Sequence, residues 1–400
     1  MYHSTKARLL FTGAALSIFA TPIFATSAFA LDGTDLVAKI NAALSLQGGS
    51  IKAQSIDISG TTVTLKGTSF KAESNPQQFP IGNVTMDGVE EANGGYTIEK
   101  VAFPNINLSQ EQNSVSVTDI TMSGVKVPAD VNKGTIDSLL LYDEAHVGPI
   151  TVSANGKQLF SVAETNVSTA VSDDNSGLDF DLKMDKIKAD LSTVDDPNSR
   201  ETIDALGLNT IDGSMTLSGS WAQNDGTVDI SEYALDIANV GKLDLALSFS
   251  GYTLDFMKSA RETAKAMEAN ANKQEAQQAA SLAMLGLMQR LTFNSAQIRF
   301  DDAGITKRAL DYAGKQQNTT GDQMAQMVKA MTPIVLAQYN VPELQNMLSQ
   351  AVNTFLDKPQ NLTVDAEPAN PVPLPMIMGA AMGAPNTLPK VLGLKVSAND

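Results

Sequence analysis

The chemistry open to this chain is narrowed first by the side chains it lacks. Cysteine is absent, and the two histidines are His3 and His146. His3 lies in an N-terminal segment with the grammar of a cleaved export signal, which would leave His146 as the one imidazole. A cysteine nucleophile is excluded, as is any site that needs two histidines. A Ser-His-Asp arrangement would have to use His146, and the chain has no Gly-x-Ser-x-Gly elbow. The string Tyr142-Asp143-Glu144-Ala145-His146-Val147-Gly148-Pro149 offers two carboxylates and an imidazole to one cation. Its Gly-Pro step marks a loop, however, and an acidic turn with one surface histidine is the simpler reading. Asp173-Asp174-Asn175-Ser176-Gly177 lacks the ordered Asp positions and distal Glu of a calcium loop and reads as a solvated hairpin tip. A carboxylate pair for glycoside hydrolysis leaves no local signature. A chain with a single Trp nevertheless has little aromatic surface with which to line a sugar. Phosphate loops and the dinucleotide fingerprint are missing. No catalytic residue, metal site or cofactor is assigned.

Charge and location come next. The 28 basic and 44 acidic residues give a formal charge of −16, and removing Lys6 and Arg8 with the first 30 residues takes it to −18. Such an acidic chain, without a Lys/Arg cluster, is not a nucleic-acid binder. In Met1–Ala30 the basic pair precedes the apolar run Leu9–Phe24 and the small-x-small end Ala28-Phe29-Ala30. Cleavage after Ala30 and a periplasmic location are expected. Thr, Ser and Pro interrupt the run, which is short for a span of ~20 residues, so a retained membrane anchor is the lesser reading. Without disulfides the protein must be held together by burial, which a chain of this length can supply.

The elements that would position any site centre on residues 242–300. Leu243, Leu245, Leu247 and Phe249 alternate with Lys242, Asp244, Ala246 and Ser248, the period-2 signature of a strand with one apolar face. From Asp255 the spacing of Met257, Ala260, Ala264, Met267 and Ala271 is helical, and Ala280, Met284, Leu287 and Met288 continue the stripe, predicting one long helix. In Leu291–Phe300, Leu291 and Phe293 are out of phase with Ala296, Ile298 and Phe300, which places a bulge at Asn294–Ser295.

Upstream, a helix over Leu31–Leu46 is followed by short alternating segments through residue 191, including Val84–Met86, Val115–Met122 and Leu178–Met184, a pattern for a meandering antiparallel sheet. Four of these strands end in Ser-Gly: Ile58-Ser59-Gly60, Met122-Ser123-Gly124, Leu217-Ser218-Gly219 and Phe249-Ser250-Gly251. A turn glycine supplying positive φ explains each. Downstream come amphipathic helices over Asp322–Gln338 and Val341–Leu356, a stiff Pro371–Pro375 linker, a short apolar piece Met376–Met382 and a closing edge strand at Val391–Val396. Eleven of the sixteen methionines fall at or beyond Met257. Met324, Met327, Met331 and Met347 occupy helix stripes, where they read as core or as an adaptable lining for a greasy ligand. The fold class is α+β, a mostly antiparallel, extended or curved sheet with amphipathic helices concentrated toward the C-terminus. Residues 31–195 form a β-rich region and residues 196–400 a β-plus-helical one, and the two also read as one continuous domain.

The export signal, the strands ending in Ser-Gly, and the pairing of Leu243–Phe249 with a helix and Leu291–Phe300 together resemble the AsmA-like and YdgA-like envelope proteins. The resemblance covers most of residues 50–300 and rests on texture. It implies a curved periplasmic sheet with an apolar concave face and a role in envelope lipid handling; the cleavable signal departs from the anchors of many such proteins. The expected function is a non-enzymatic holder or chaperone of a hydrophobic ligand, a lipid, on the face carrying Leu243, Leu245, Leu247, Phe249 and the four methionines. The alternatives are a structural or interaction module with a closed core and an envelope protein partner, and a carboxylate-based hydrolase.

Overall fold

The computed structural model describes residues 31–72, 77–269, 273–338 and 341–400. The export-signal reading of residues 1–30 therefore lies outside the described residues, as does Ala271. The chain opens with helix α1 (Gly33–Leu46) and strands β1 (Gly49–Lys52), β2 (Ser55–Ser59), β3 (Thr62–Ala72), β4 (Gln78–Ala92), β5 (Gly95–Phe103), β6 (Ile106–Gln110), β7 (Asn113–Val117) and β8 (Ile120–Val127). It continues with β9 (Glu144–Val147), β10 (Ile150–Ala154), β11 (Lys157–Val162), β12 (Glu164–Val171), β13 (Gly177–Asp190), α2 (Pro197–Leu206), β14 (Thr210–Ala222), β15 (Val228–Ile237) and β16 (Gly241–Ser250). The last part holds α3 (Leu254–Ala269), α4 (Lys273–Met288), β17 (Thr292–Asp302), α5 (Ile305–Gln316), α6 (Gly321–Ala337), α7 (Pro342–Asp357), β18 (Asn361–Ala366), β19 (Val372–Pro373), α8 (Leu374–Gly383), α9 (Leu388–Val391) and β20 (Leu394–Ala398). The fold is α+β, with helices concentrated in the C-terminal part.

Antiparallel pairing links β2, β3, β4, β5, β8, β9 and β12 in that order. The same sheet continues through β13, β14, β15, β16, β17, β18 and β20. It does not close. A fork opens at β13, whose first part pairs with β12 while Ala189 and Lys188 pair with Phe160 and Ser161 of β11. β11 carries β10, β7 and β6 beyond it. Residues 195 and 196 fall between β13 and β14, which are paired along nearly their whole lengths, so the sheet runs through the boundary between the two regions.

The predicted bulge is present. Ser248 faces Ser295 and Phe249 faces Phe293, leaving Asn294 as the extra residue that restores Ala296, Ile298 and Phe300 to the face of Phe293. Other extra residues occur, among them one in β13 between Met184 and Ile187 and one in β15 between Ile230 and Tyr233. A related device crosses the N-terminal strands, where Gly88 of β4 and Gly124 of β8 take φ of 64° and 63°. Each turns one pleat over, so apolar residues on one face stand three apart, as in Met86/Val89 and Met122/Val125.

Three expectations need correction. The long helix is a hairpin: α3 and α4 pack against each other, and Arg290, just past α4, donates to the Asp255 carboxylate at the start of α3 at 3.0 Å. Each finds its main packing partner in the other, so the pair does not lie along the strand as a lid. Of the four Ser-Gly steps, those at Gly60 and Gly251 follow strands, but Gly124 and Gly219 sit inside β8 and β14. In addition, Val372–Pro373 of the supposed linker pairs with Phe293 and Thr292.

The helices obey local rules. Asp32 caps α1 by accepting from the amides of Thr34 and Asp35, and Asp196 caps α2 by accepting from that of Ser199. Thr320 and Gln323 form a capping box at the head of α6. α5, α6 and α7 pack in succession, and α7 packs on β18 and β20.

Candidate functional site

The expected ligand face is built by register. In β16 the side chains of Leu243, Leu245, Leu247 and Phe249 share one face and stand beside Phe300, Ile298, Ala296 and Phe293 of β17. Leu243, Leu245 and Phe249 are partly buried, whereas Leu247 is 37 % exposed and Ile298, on the same face of β17, 51 %. A strand face that leaves Leu247 and Ile298 open to water is the informative case of exposed apolar surface.

The row through Leu245 runs from β2 to β20. Toward the N-terminus its partners are Tyr233, Leu217, Leu182, Val167 and Ala145. The row then passes through Met122, Val101, Met86, Val63 and Ile58. Toward the C-terminus it reaches Ile298, Val364 and Val396. One apolar residue per strand over fourteen strands makes a track about 60 Å long at the usual strand spacing. Beside it, Phe249, Val228, Trp221 and Leu178 form a parallel row. That row is closed by aromatic contacts: Phe249 meets Tyr252 edge-on at 6.3 Å, and the Trp221 Nε1–H donates to the Tyr252 carbonyl at 2.8 Å.

Burial along the track is uneven. Val63, Met86 and Val101 are buried because α1 lies over them with Leu36, Ile40 and Ala43. Between α1 and the strands remains a cavity of ≈ 270 Å³, lined by Leu44, Val84, Ile98, Val101, Phe103, Met122 and Tyr142 among others. Its polar side chains are Gln47, Thr68 and Tyr142, of which the Thr68 hydroxyl donates to the Leu65 carbonyl at 3.0 Å. Burial pushes the Tyr142 phenol above its ordinary pKa. The roof is pinned. The Tyr96 hydroxyl donates to the Asp35 carboxylate at 2.7 Å, while the Asn41 side chain exchanges two hydrogen bonds with the Ile51 backbone at 2.7 and 3.0 Å. The Lys39 ammonium first, and the Tyr96 hydroxyl second, hold the Asp35 carboxyl below the usual carboxylate range. Burial and that same carboxylate raise the Tyr96 phenol.

The methionines part company with the strand face. Met324 is core, 5 % exposed, whereas Met327 and Met331 point outward, the latter 51 % exposed, and Met347 on α7 is half-buried. α6 has α5 and α7 as its packing partners, so these side chains do not complete a pocket with Leu243, Leu245, Leu247 and Phe249. Further apolar surface lies on α4 and α8, and no residue of α8 is buried although it carries no charge.

On the other face of the sheet is a shallow polar trough of ≈ 420 Å³ bordered by Glu144, His146, Asp181, Lys183 and Glu232. His146 Nδ1 lies 2.7 Å from the Asn166 Oδ1 and its Nε2 3.5 Å from an Asp119 oxygen. Among the described residues no group of three His, Cys, Asp or Glu side chains is placed to hold a metal. Asp173–Gly177 forms the β12–β13 hairpin tip, where Asp174 accepts from the Ser176 amide at 2.9 Å.

Sequence reasoning located the β16–β17 face but missed the cavity beneath α1. The signal available was the three-residue apolar spacing around Gly88 and Gly124.

Fold and site together define an open antiparallel α+β sheet with one oily face, roofed at its N-terminal end. A family model described as an uncharacterized protein matches residues 234–399. The matched part begins inside β15, whose other edge is paired with β14 outside it. No curated protein matches the sequence. Among the described residues no helix is long and apolar enough to cross a membrane.

Proposed function

We propose that the protein is a non-enzymatic, exported envelope protein that holds or chaperones a hydrophobic ligand, a lipid, against the apolar face of its sheet. The observation that carries this reading is the unbroken row from Ile58 to Val396, roofed by α1 at one end and half-open from Ala145 onward. A face meant only for internal packing would leave neither Ile298 nor Leu247 in water, because each apolar Å² left exposed forgoes about 25 cal/mol. Export follows from the grammar of residues 1–30. The test compares organic extracts of native and delipidated protein and titrates the latter with a fluorescent fatty acid. Extractable lipid and saturable uptake are expected; a native preparation without lipid that also takes up no probe sinks the proposal.

The second reading, an interaction module of the envelope, draws on the uncovered helices, where Met382 is 87 % exposed. It expects a defined protein partner whose capture is lost when Leu282 and Met382 are both changed to Ser, with lipid content unaltered.

A further inference from the structure

We infer that the cavity beneath α1 is the closed end of the track and receives the methyl end of a single acyl chain, whose polar head stays outside over the half-open strands. This inference rests on the lipid reading above. The cavity continues the track itself, since Met86, Val101 and Met122 belong both to its lining and to the row that leads through Ala145 and Val167 to the open strands. Its ≈ 270 Å³ equals about nine water volumes, and apart from Gln47, Thr68 and Tyr142 every side chain lining it is apolar, so apolar matter is the natural filling. None of the lining side chains is cationic, so a carboxylate or phosphate would shed its hydration there without a compensating charge. A space of about nine water volumes suits the end of one chain and not two.

The direction of entry follows from the roof. Tyr96–Asp35 and the paired Asn41–Ile51 bonds fasten α1 to β5 and β1. Lifting α1 would break these bonds and expose Leu36, Ile40 and Ala43, whereas a chain sliding along the row from Val167 past Ala145 to Met122 disturbs neither. The tail therefore enters first.

The test uses the full-length purified protein and two photoreactive fatty acids, one bearing a diazirine at the methyl end and one beside the carboxyl. After photolysis, adducts are mapped by peptide mass spectrometry, with excess palmitate as competitor. The methyl-end probe should label α1, β5 and β8, at Leu44, Phe103 or Met122. The carboxyl-end probe should label strands β12–β17, with at least a fivefold preference of each probe for its own region. Competed labelling by both probes on β12–β17 alone, or the reverse orientation, overturns this inference and leaves the lipid reading standing. The absence of competed labelling with either probe overturns both.

Discussion

A charge placed in the middle of the oily face separates a ligand surface from a closed core. Ile298 lies between Leu245 and Val364 in the row and is 51 % exposed. Complete burial of an isoleucine contributes about 1.5–3 kcal/mol, so Ile298→Asp forfeits roughly half of that, about 0.7–1.5 kcal/mol. Poor strand propensity adds up to ~1 kcal/mol. The folded protein therefore loses only about 1–2 kcal/mol, because the carboxylate stays in water. A lipid lying over the row would have to strip that carboxylate of solvent, a penalty of several kcal/mol after relaxation. Even if water follows it in and leaves only ~1.4 kcal/mol, affinity falls tenfold. Ile298→Val keeps the surface apolar and should bind as the parent does. Urea unfolding followed through the buried Trp221 measures the first quantity, and fatty-acid titration the second. Destabilisation of 3–5 kcal/mol would mean that the face is closed. Unchanged affinity would mean that no ligand lies there. Either result refutes the reasoning.

Two further outcomes test the framework. Gly124→Ala should cost more stability than Gly134→Ala: both sites have positive φ, a strain of about 1–2 kcal/mol, but only at Gly124 does the added Cβ run into a neighbour, the Asp143 side chain. Equal shifts of the urea midpoint would remove the packing half of that argument. Asp190, which accepts from Lys157 and from Ser192, has its pKa lowered to about 2. A carboxyl whose folded pKa lies below its unfolded value stabilises above the ordinary carboxylate range, and loses that contribution as pH falls through about 4 toward 2. Asp190→Asn should therefore flatten the fall of the unfolding midpoint over that window, and an unaltered slope counts against the pairing of β11 with β13 that Lys157 and Asp190 secure.

What the sequence made legible was local and periodic. The alternation of Leu243–Phe249 marked β16, the phase slip at Asn294 marked the bulge, and β15 runs over Val228–Ile237 as its pattern indicates. The same rule failed where the pleat turns over. Val84–Met86 looks like a fragment because alternation breaks at Gly88, yet β4 continues to Ala92. Met122-Ser123-Gly124 looks like a strand end because Gly favours turns, yet β8 runs to Val127. The α3–α4 hairpin escaped notice because helical spacing resumes on both sides of the polar middle, and periodicity carries no information about a reversal of direction. The cavity under α1 could not be read locally at all, since its walls come from segments as far apart as Leu44 and Tyr142. The forked sheet belongs to the same class, because the junction of β11 with β13 depends on two residue pairs far apart in sequence.

The reversed pleat at Gly124 has a perverse corollary for anyone tidying this protein by rule. Deleting that glycine would leave Ile120, Met122, Val125 and Val127 in strict every-other-residue order, a more orthodox strand on paper. Its neighbours would still be cut to the older pattern: Val125 and Val127 now sit opposite Ile98 and Tyr96, and a one-residue slip would set them against Glu99 and Thr97 instead. Regularity in one strand would be misfit in the sheet, so the irregularity is a property that adjoining strands must keep or lose together.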